Sequence, residues 1–174
     1  METAYFATGC FWGAERRFWQ MSGVCETSVG YMGGEKVAPS YQDVCTGKTG
    51  HAEIVEVQYD PSAVSYDRLL EEFWTMHDPT SLNSQGNDIG TQYRSAIFTT
   101  TAEQLSSALA TRDIYQAAII GSGYGEIVTQ IESSEGKKYW PAETYHQKYL
   151  LKNPNGYDCH SSTGIAYPKA AHVE

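Results

Sequence analysis

Ala4-Tyr5-Phe6-Ala7-Thr8-Gly9-Cys10-Phe11-Trp12-Gly13 carries the architecture of this chain in miniature. Residues 4–7 read as a buried strand, and the following Ala14-Glu15-Arg16-Arg17-Phe18-Trp19 reads as a helix. Cys10 then stands where a strand turns into a helix N-terminus. Free backbone N–H groups and the helix dipole at such a place favour a thiolate, the nucleophilic form of cysteine. Glycines on either side let the backbone turn tightly. Two readings fit. One is a reactive sulfur beside an apolar wall, suited to a small apolar group. The other is a structural cysteine in an aromatic core, since free Cys is among the most buried residue types. The strand–glycine–cysteine–helix context favours the first.

Outward from this segment, strands and helices mix without strict alternation. Residues 24–31 read as a second strand, and 32–50, rich in Gly, Pro, Ser and Thr, as a long loop of the kind that is often functional. Residues 53–59 alternate as a strand, with Glu53, Val55, Val57 and Tyr59 on one face. In 66–77 the apolar side chains recur at helical spacing, up to Asp78-Pro79. A polar loop follows at 80–92, then a strand at 93–99. Thr101 and Gln104 resemble a capping box opening a helix that runs to about residue 120. Residues 127–131 read as a strand and 141–151 as a last helix. The Gly121-Ser122-Gly123-Tyr124-Gly125 run is a helix-ending turn rather than a phosphate loop, because no strand leads into it. The pattern predicts an α+β sandwich and not a doubly wound sheet.

The 174 residues fit one domain (1–174) with a sizeable core. A net charge of −9 argues against nucleic acid as the main partner. No apolar run approaches the ~20 residues that span a bilayer. No basic segment followed by an apolar stretch opens the chain, so no signal peptide and a reducing, cytoplasmic setting are expected. Cys10, Cys25, Cys45 and Cys159 form no Cys-x-x-Cys pair, and the five histidines form no His-Glu-x-x-His pattern, so no metal site is expected.

Glu53 is the second notable residue. A carboxylate on an otherwise apolar strand face is costly unless paired or protonated. Burial there would raise its pKa and keep it a proton donor near neutral pH. An edge position reaching water fits the pattern equally well. Tyr41, in the long loop before Glu53, and Tyr93, after the polar loop, are phenols placed where they could donate to a substrate oxygen.

In motif and order the chain resembles the A-class peptide methionine sulfoxide reductases. The segments that carry the resemblance are Gly9-Cys10-Phe11-Trp12-Gly13, Val29-Gly30-Tyr31, Tyr41 with Val44-Cys45-Thr46-Gly47, Thr49-Gly50-His51-Ala52-Glu53, His77-Asp78-Pro79-Thr80, the run from Gln85 to Ser95, Glu143-Thr144-Tyr145-His146-Gln147, and Asn153-Pro154-Asn155-Gly156-Tyr157. The resemblance implies a ferredoxin-like two-layer α/β sandwich with a mixed sheet and long functional loops. It implies reduction of methionine-S-sulfoxide, free or in oxidised proteins, to methionine. Cys10 is then the nucleophile, Glu53 the acid, Tyr41 and Tyr93 the phenol donors, and Phe11 and Trp12 the aromatics that hold the methyl. Asp88 and His146 have supporting roles in substrate binding. No cofactor is implied, and thioredoxin or a small dithiol supplies electrons to a monomer. Relatives often carry resolving cysteines in a glycine-rich tail. This chain places Asp158 between the tyrosine and Cys159 and has no later cysteine, so a single Cys10–Cys159 disulfide, from a mobile tail over 153–174, is the implied intermediate. Cys25 and Cys45 are expected to be bystanders. Rival readings are a cysteine hydrolase or acyltransferase using His51 or His146 as base, and a thiol redox sensor without turnover.

Overall fold

The computed structural model describes residues 1–158 and 161–169. β1 (Glu2–Thr8) leads into α1 (Phe11–Trp19), then β2 (Val24–Met32), α2 (Tyr41–Cys45), β3 (Ala52–Tyr59) and α3 (Tyr66–Met76). A small hairpin, β4 (Ser84–Gln85) and β5 (Asp88–Ile89), precedes β6 (Ser95–Thr99), α4 (Ala102–Ile120), β7 (Gln130–Ser133), β8 (Trp140–Pro141) and α5 (Tyr149–Lys152). Six strands form one sheet in the order β7-β6-β1-β3-β2-β8. The β6–β7 pair is parallel and the others are antiparallel. The fold is thus α+β with a mixed sheet.

Period-two alternation assigns the two faces. Ala4 and Phe6 of β1, Val29 and Tyr31 of β2, and Val55, Val57 and Tyr59 of β3 point to the face covered by helices. There they meet Phe18 of α1, Leu70, Phe73 and Trp74 of α3, and Ala108, Tyr115 and Ile119 of α4. Ala7, Met32, Ala52, Ile54, Ala96 and Phe98 form a smaller cluster on the other face, with Tyr5 and Tyr139 against it. Glu53 shares the helix-covered face and is 2% exposed. The edge position that would have let it reach water is not where it lies.

Several elements differ from the sequence expectation. Ser40 and Asp43 close a capping box that starts α2 inside the long loop. The strand expected over 93–99 starts at Ser95, because Thr91–Tyr93 forms a 3₁₀ turn. The strand expected over 127–131 is shifted to Gln130–Ser133, set by its parallel register with β6. The helix expected over 141–151 is broken into β8, a 3₁₀ turn at Thr144–His146 and the short α5. Tertiary bonds break it. Gln147 accepts from Val29 N–H at 2.8 Å and donates to the Val29 carbonyl at 2.7 Å. Lys148 adopts a left-handed conformation (φ 53°) and gives its N–H to Glu15.

The Gly121–Gly125 segment ends α4 as a turn. Among the described residues no helix is long and apolar enough to cross a membrane. In the tail, Tyr115 and Tyr124 of the α4 region hydrogen-bond to Thr163 and Ile165, and Tyr167 stacks on Tyr115. Cys159, the expected resolving cysteine, lies outside the described residues.

Candidate active site

The β1-to-α1 turn is built as its sequence suggests. Gly9 has φ +101°, and a Cβ there would lie 2.8 Å from the Gln85 side chain, so the position demands glycine. Cys10 is the N-cap of α1 and is partly exposed. The N-terminal N–H groups and dipole of a nine-residue helix stabilise negative charge at that position. The next N–H, of Phe11, donates to Glu53 Oε1 at 3.1 Å. A carboxyl from β3 therefore caps the helix that presents the sulfur, and acid and nucleophile are held by one hydrogen bond to adjacent residues.

Burial pushes the Glu53 carboxyl up to about 8, against the pull of the Phe11 N–H, and the nearby Asp88 carboxylate pushes it further. Its neutral form is favoured at neutral pH. Tyr41 and Tyr93 gather around it. Burial raises both phenols above their usual range, and both feel the Glu53 charge. They thus remain O–H donors at any physiological pH. Tyr93 also feels Cys10 and Asp88. Tyr41 opens α2, and its N–H donates to Glu143 Oε2 at 2.8 Å. Tyr31 donates to the other oxygen of Glu143 at 3.0 Å.

An aromatic wall completes the site. Phe11, 1% exposed, packs against Tyr31 and His146 with centroids 5.8 and 5.2 Å apart. Trp12 is half-buried, stacks on Tyr149 at 3.8 Å, and donates its indole N–H to His146 Nδ1 at 3.0 Å. Trp12 is therefore the aromatic of the pair with surface to offer, and Phe11 supports it from the core. His146 also lies 4.4 Å from the Tyr41 ring. Burial lowers the His146 pKa, against Glu143, which raises it. Asp88, on β5, is half-exposed and accepts from Tyr157 Oη at 3.3 Å.

The structure brings Cys10, Glu53, Tyr41, Tyr93, Trp12, Asp88 and His146 into one neighbourhood. Glu143, Tyr31 and Tyr149 were not singled out as functional, although they brace it. Tyr31 and Glu143 stand in segments that carry the resemblance, so a signal for both existed. Both ring nitrogens of His51 are engaged by the loop it closes, with Gly34 N–H at 3.0 Å and the Lys36 carbonyl at 2.7 Å. His51 is thus a loop tie and not a base for Cys10. Cys25 is exposed on β2, with its thiol 3.8 Å from the Gly23 carbonyl. Cys45 is exposed at the end of α2, where its thiol shares a hydrogen bond with Tyr41.

The sequence profile described as "Peptide methionine sulfoxide reductase" matches residues 2–172. The chain belongs to that family. A relative from Streptomyces griseus, peptide methionine sulfoxide reductase MsrA, is 54% identical over 168 residues, covering 97% of this chain and 76% of the relative. MsrA 1 from Synechocystis is 54% identical over 173 residues, covering 99% and 77%. Among solved structures, methionine sulfoxide reductase A of Corynebacterium diphtheriae superposes with a TM-score of 0.87 at 45% identity, covering 97% of this chain and 83% of that one. Mxr1 from Saccharomyces cerevisiae in reduced form gives 0.83 at 36%, covering 92% and 91%. Mxr1 has also been solved in complex with Trx2. Within this methionine sulfoxide reductase family member, the site described above is the only cluster among the described residues that joins a helix-capping thiol to a buried carboxyl.

Proposed function

We propose that this protein reduces methionine-S-sulfoxide, free or in oxidised proteins, to methionine. The observation that carries the reading is the Glu53 carboxyl, kept protonated by burial and bonded to the N–H that follows Cys10. The sulfoxide methyl rests against Trp12, backed by Phe11. Its oxygen is taken by the hydroxyls of Tyr41 and Tyr93 and by neutral Glu53. The Cys10 thiolate attacks the sulfoxide sulfur, and an S–S bond begins to form. Charge builds on the oxygen, where preorganised donors lower the barrier most. Glu53 delivers its proton to that oxygen as general acid. The S–O bond to the methionine sulfur and the nascent S–S bond break as the hydroxyl passes to Cys10, which is left as a sulfenic acid while methionine leaves. Asp88 and His146 orient the substrate and the aromatic wall.

The Cys159 thiol then displaces hydroxide from Cys10, releasing water and forming the Cys10–Cys159 disulfide. A thioredoxin dithiol, or a small dithiol, reduces that disulfide and is itself oxidised. The solved complex of yeast Mxr1 with Trx2 supports thioredoxin as the reductant. No prosthetic group enters this cycle. We place the protein in the cytoplasm as a monomer with a tail that moves during recycling. Of the two candidate bases of the hydrolase alternative, His51 is engaged in its loop and the Nδ1 of His146 is taken by the Trp12 indole N–H.

Separate assays on the S and R sulfoxide epimers, with disulfide mapping by mass spectrometry after one turnover, test the proposal. The expected result is reduction of the S epimer, none of it in Cys10→Ser, and a Cys10–Cys159 link. Equal rates on both epimers, or turnover by Cys10→Ser, would overturn it.

A further inference from the structure

Three phenols feel the charge of Glu53, those of Tyr31, Tyr41 and Tyr93. Two of them, Tyr41 and Tyr93, hold the sulfoxide oxygen in the proposed cycle. Glu143 accounts for the difference. Its Oε1 accepts from the Tyr31 hydroxyl at 3.0 Å, and its Oε2 accepts from the Tyr41 backbone N–H at 2.8 Å. The first bond occupies the one proton that Tyr31 can donate. The second engages Tyr41 through its main chain and leaves its hydroxyl out of the pair.

Glu143 reaches Tyr41 from a rigid base. It follows β8, which pairs with β2 at Gly30 and Tyr31. The Ala142 N–H donates to the Val29 carbonyl at 2.9 Å, and Gln147 bonds to both backbone groups of Val29. Glu143 is thus fixed from both sides on the strand whose Tyr31 stands opposite Glu53. α2 has the opposite character. Its five residues are too few to form a stable helix alone. Val44 anchors it in the core. Its capping box, Ser40 with Asp43, and the bond of the Tyr41 hydroxyl with the Cys45 thiol are local. Among the described residues, the hydrogen bond that ties α2 to another part of the molecule is the one to Glu143, 102 residues away. Burial opposes the charge of Glu143. The N–H of Tyr41, its own N–H, the Tyr31 hydroxyl and His146 outweigh burial and hold its carboxyl below the ordinary range. An ionised acceptor makes the stronger hydrogen bond.

We propose that Glu143 is the positioning residue for Tyr41: it holds the α2 backbone where the Tyr41 hydroxyl meets the sulfoxide oxygen, and it keeps the Tyr31 hydroxyl out of that role. This rests on the reading of Tyr41 as a donor to that oxygen. Both oxygens of Glu143 are engaged by the two tyrosines, so it acts through Tyr41 and not on the sulfoxide. A donor lowers the barrier only where it is already aimed at the charge that develops. A displacement of about 1 Å forfeits much of that gain. A short helix in a loop cannot fix a hydroxyl to that tolerance by local bonds. A carboxylate mounted on the central sheet can.

The test uses the full chain in a single turnover with methionine-S-sulfoxide and no reductant, which times methionine release apart from recycling. Thermal unfolding sets the assay temperature, at which each variant is folded. Tyr41→Phe is expected to slow release about fivefold, the scale of one hydrogen bond. Glu143→Ala removes both acceptors, as does Glu143→Leu, which keeps the bulk should the smaller side chain unfold the protein. Each should slow release by about the same factor as Tyr41→Phe. Glu143→Gln should stay within about twofold of the parent, because its amide oxygen still accepts from the Tyr41 N–H and its NH₂ donates to the Tyr31 oxygen. When Glu143→Ala or Glu143→Leu is combined with Tyr41→Phe, the loss should remain about fivefold, whereas independent effects would multiply to about twenty-five-fold. A merely structural role would not vanish with one hydroxyl. Parental release without the Glu143 carboxylate, or a loss that multiplies, overturns the positioning role and leaves Tyr41 as a donor. A Glu143→Gln variant as slow as Glu143→Ala assigns the effect to charge and overturns it as well. If Tyr41→Phe releases methionine at the parental rate, the donor reading of Tyr41 falls, and the positioning role with it.

Discussion

Glu15, within α1, and Glu53, near the start of β3, are 0% and 2% exposed, and their surroundings differ in kind. Glu15 Oε1 accepts the Lys148 backbone N–H at 2.8 Å. Its Oε2 accepts from Thr27 Oγ1 at 2.8 Å and from Lys148 Nζ at 3.1 Å. The same ammonium reaches Glu26 at 2.8 Å. Glu15 therefore ties α1 to β2 and to the C-terminal segment. Glu53 has one backbone N–H, from Phe11, and three phenols, Tyr31, Tyr41 and Tyr93, in its field, and among the described residues it forms no ion pair. Burial alone does not make a carboxyl into an acid catalyst. What it is left without does. A buried carboxylate given an ammonium and two further donors is a structural rivet. A buried carboxyl given one donor keeps its proton and has somewhere to send it.

The comparison breaks first at Glu53→Gln. The amide keeps the shape and cannot hand over a proton, so kcat/KM should fall by ~10²–10⁴. Steady-state assays with the S epimer check this, and a loss below about threefold would assign the proton to another group.

The stability of the same variant should depend on pH in a defined direction. The folded Glu53 pKa, about 8, lies above its ordinary value of 4.5. Between these limits the unfolded chain is ionised and the folded one is not, so parental stability falls as pH rises through the window. Glu53→Gln removes that dependence. Its stability relative to the parent should improve by about 3 kcal/mol between pH 4 and pH 7. Urea unfolding of both proteins at the two pH values measures it. A constant difference would mean that Glu53 is ionised in the folded protein.

Glu15→Gln should do the reverse. It leaves the Lys148 ammonium with fewer partners, though still in touch with Glu26 and partly with water. A loss of about 2 kcal/mol is expected, less than for a fully buried pair, with kcat within twofold of the parent where the protein is folded. Thermal unfolding and assays below the transition check both halves. A collapse in kcat without loss of stability would place Glu15 in the chemistry.

The smallest expected effect sharpens the view of the site's donors. Tyr41→Phe and Tyr93→Phe each remove one hydroxyl facing the sulfoxide oxygen. Each should lower kcat/KM by about two- to tenfold, the range of one hydrogen bond. Unchanged activity in either would remove that phenol from the oxygen-binding set.

Legibility in the sequence followed the range of the forces involved. α3 was readable because its apolar spacing is a local pattern, and Ser65 caps it within four residues. The start of α4 was readable for the same reason: Thr101 Oγ1 accepts from Gln104 N–H at 3.1 Å. The region 141–151 was misread as one helix because the bonds that break it come from far away in the chain. Gln147 bonds to β2 and Lys148 to α1. α2 carried a local capping signal, Ser40 with Asp43, hidden by the glycine- and proline-rich composition around it. Cys10 and Glu53 were candidates from pattern alone, and the resemblance supplied their roles along with those of Tyr41, Tyr93, Phe11 and Trp12.

The sequence by itself determined the strand–turn–helix that presents Cys10, because dihedral preference and apolar period act over a few residues. It also determined that Glu53 shares a face with Val55 and Val57, because strand alternation permits nothing else. Only the tertiary structure decided that this face is the covered one, which is what keeps the Glu53 proton on at neutral pH. It alone decided that Phe11 is core and Trp12 surface, and that Glu143 links Tyr31 to Tyr41. The physical reason is the same in each case. Desolvation and hydrogen-bond partnership depend on which distant segments arrive at a residue, and no local pattern in the chain encodes that arrival.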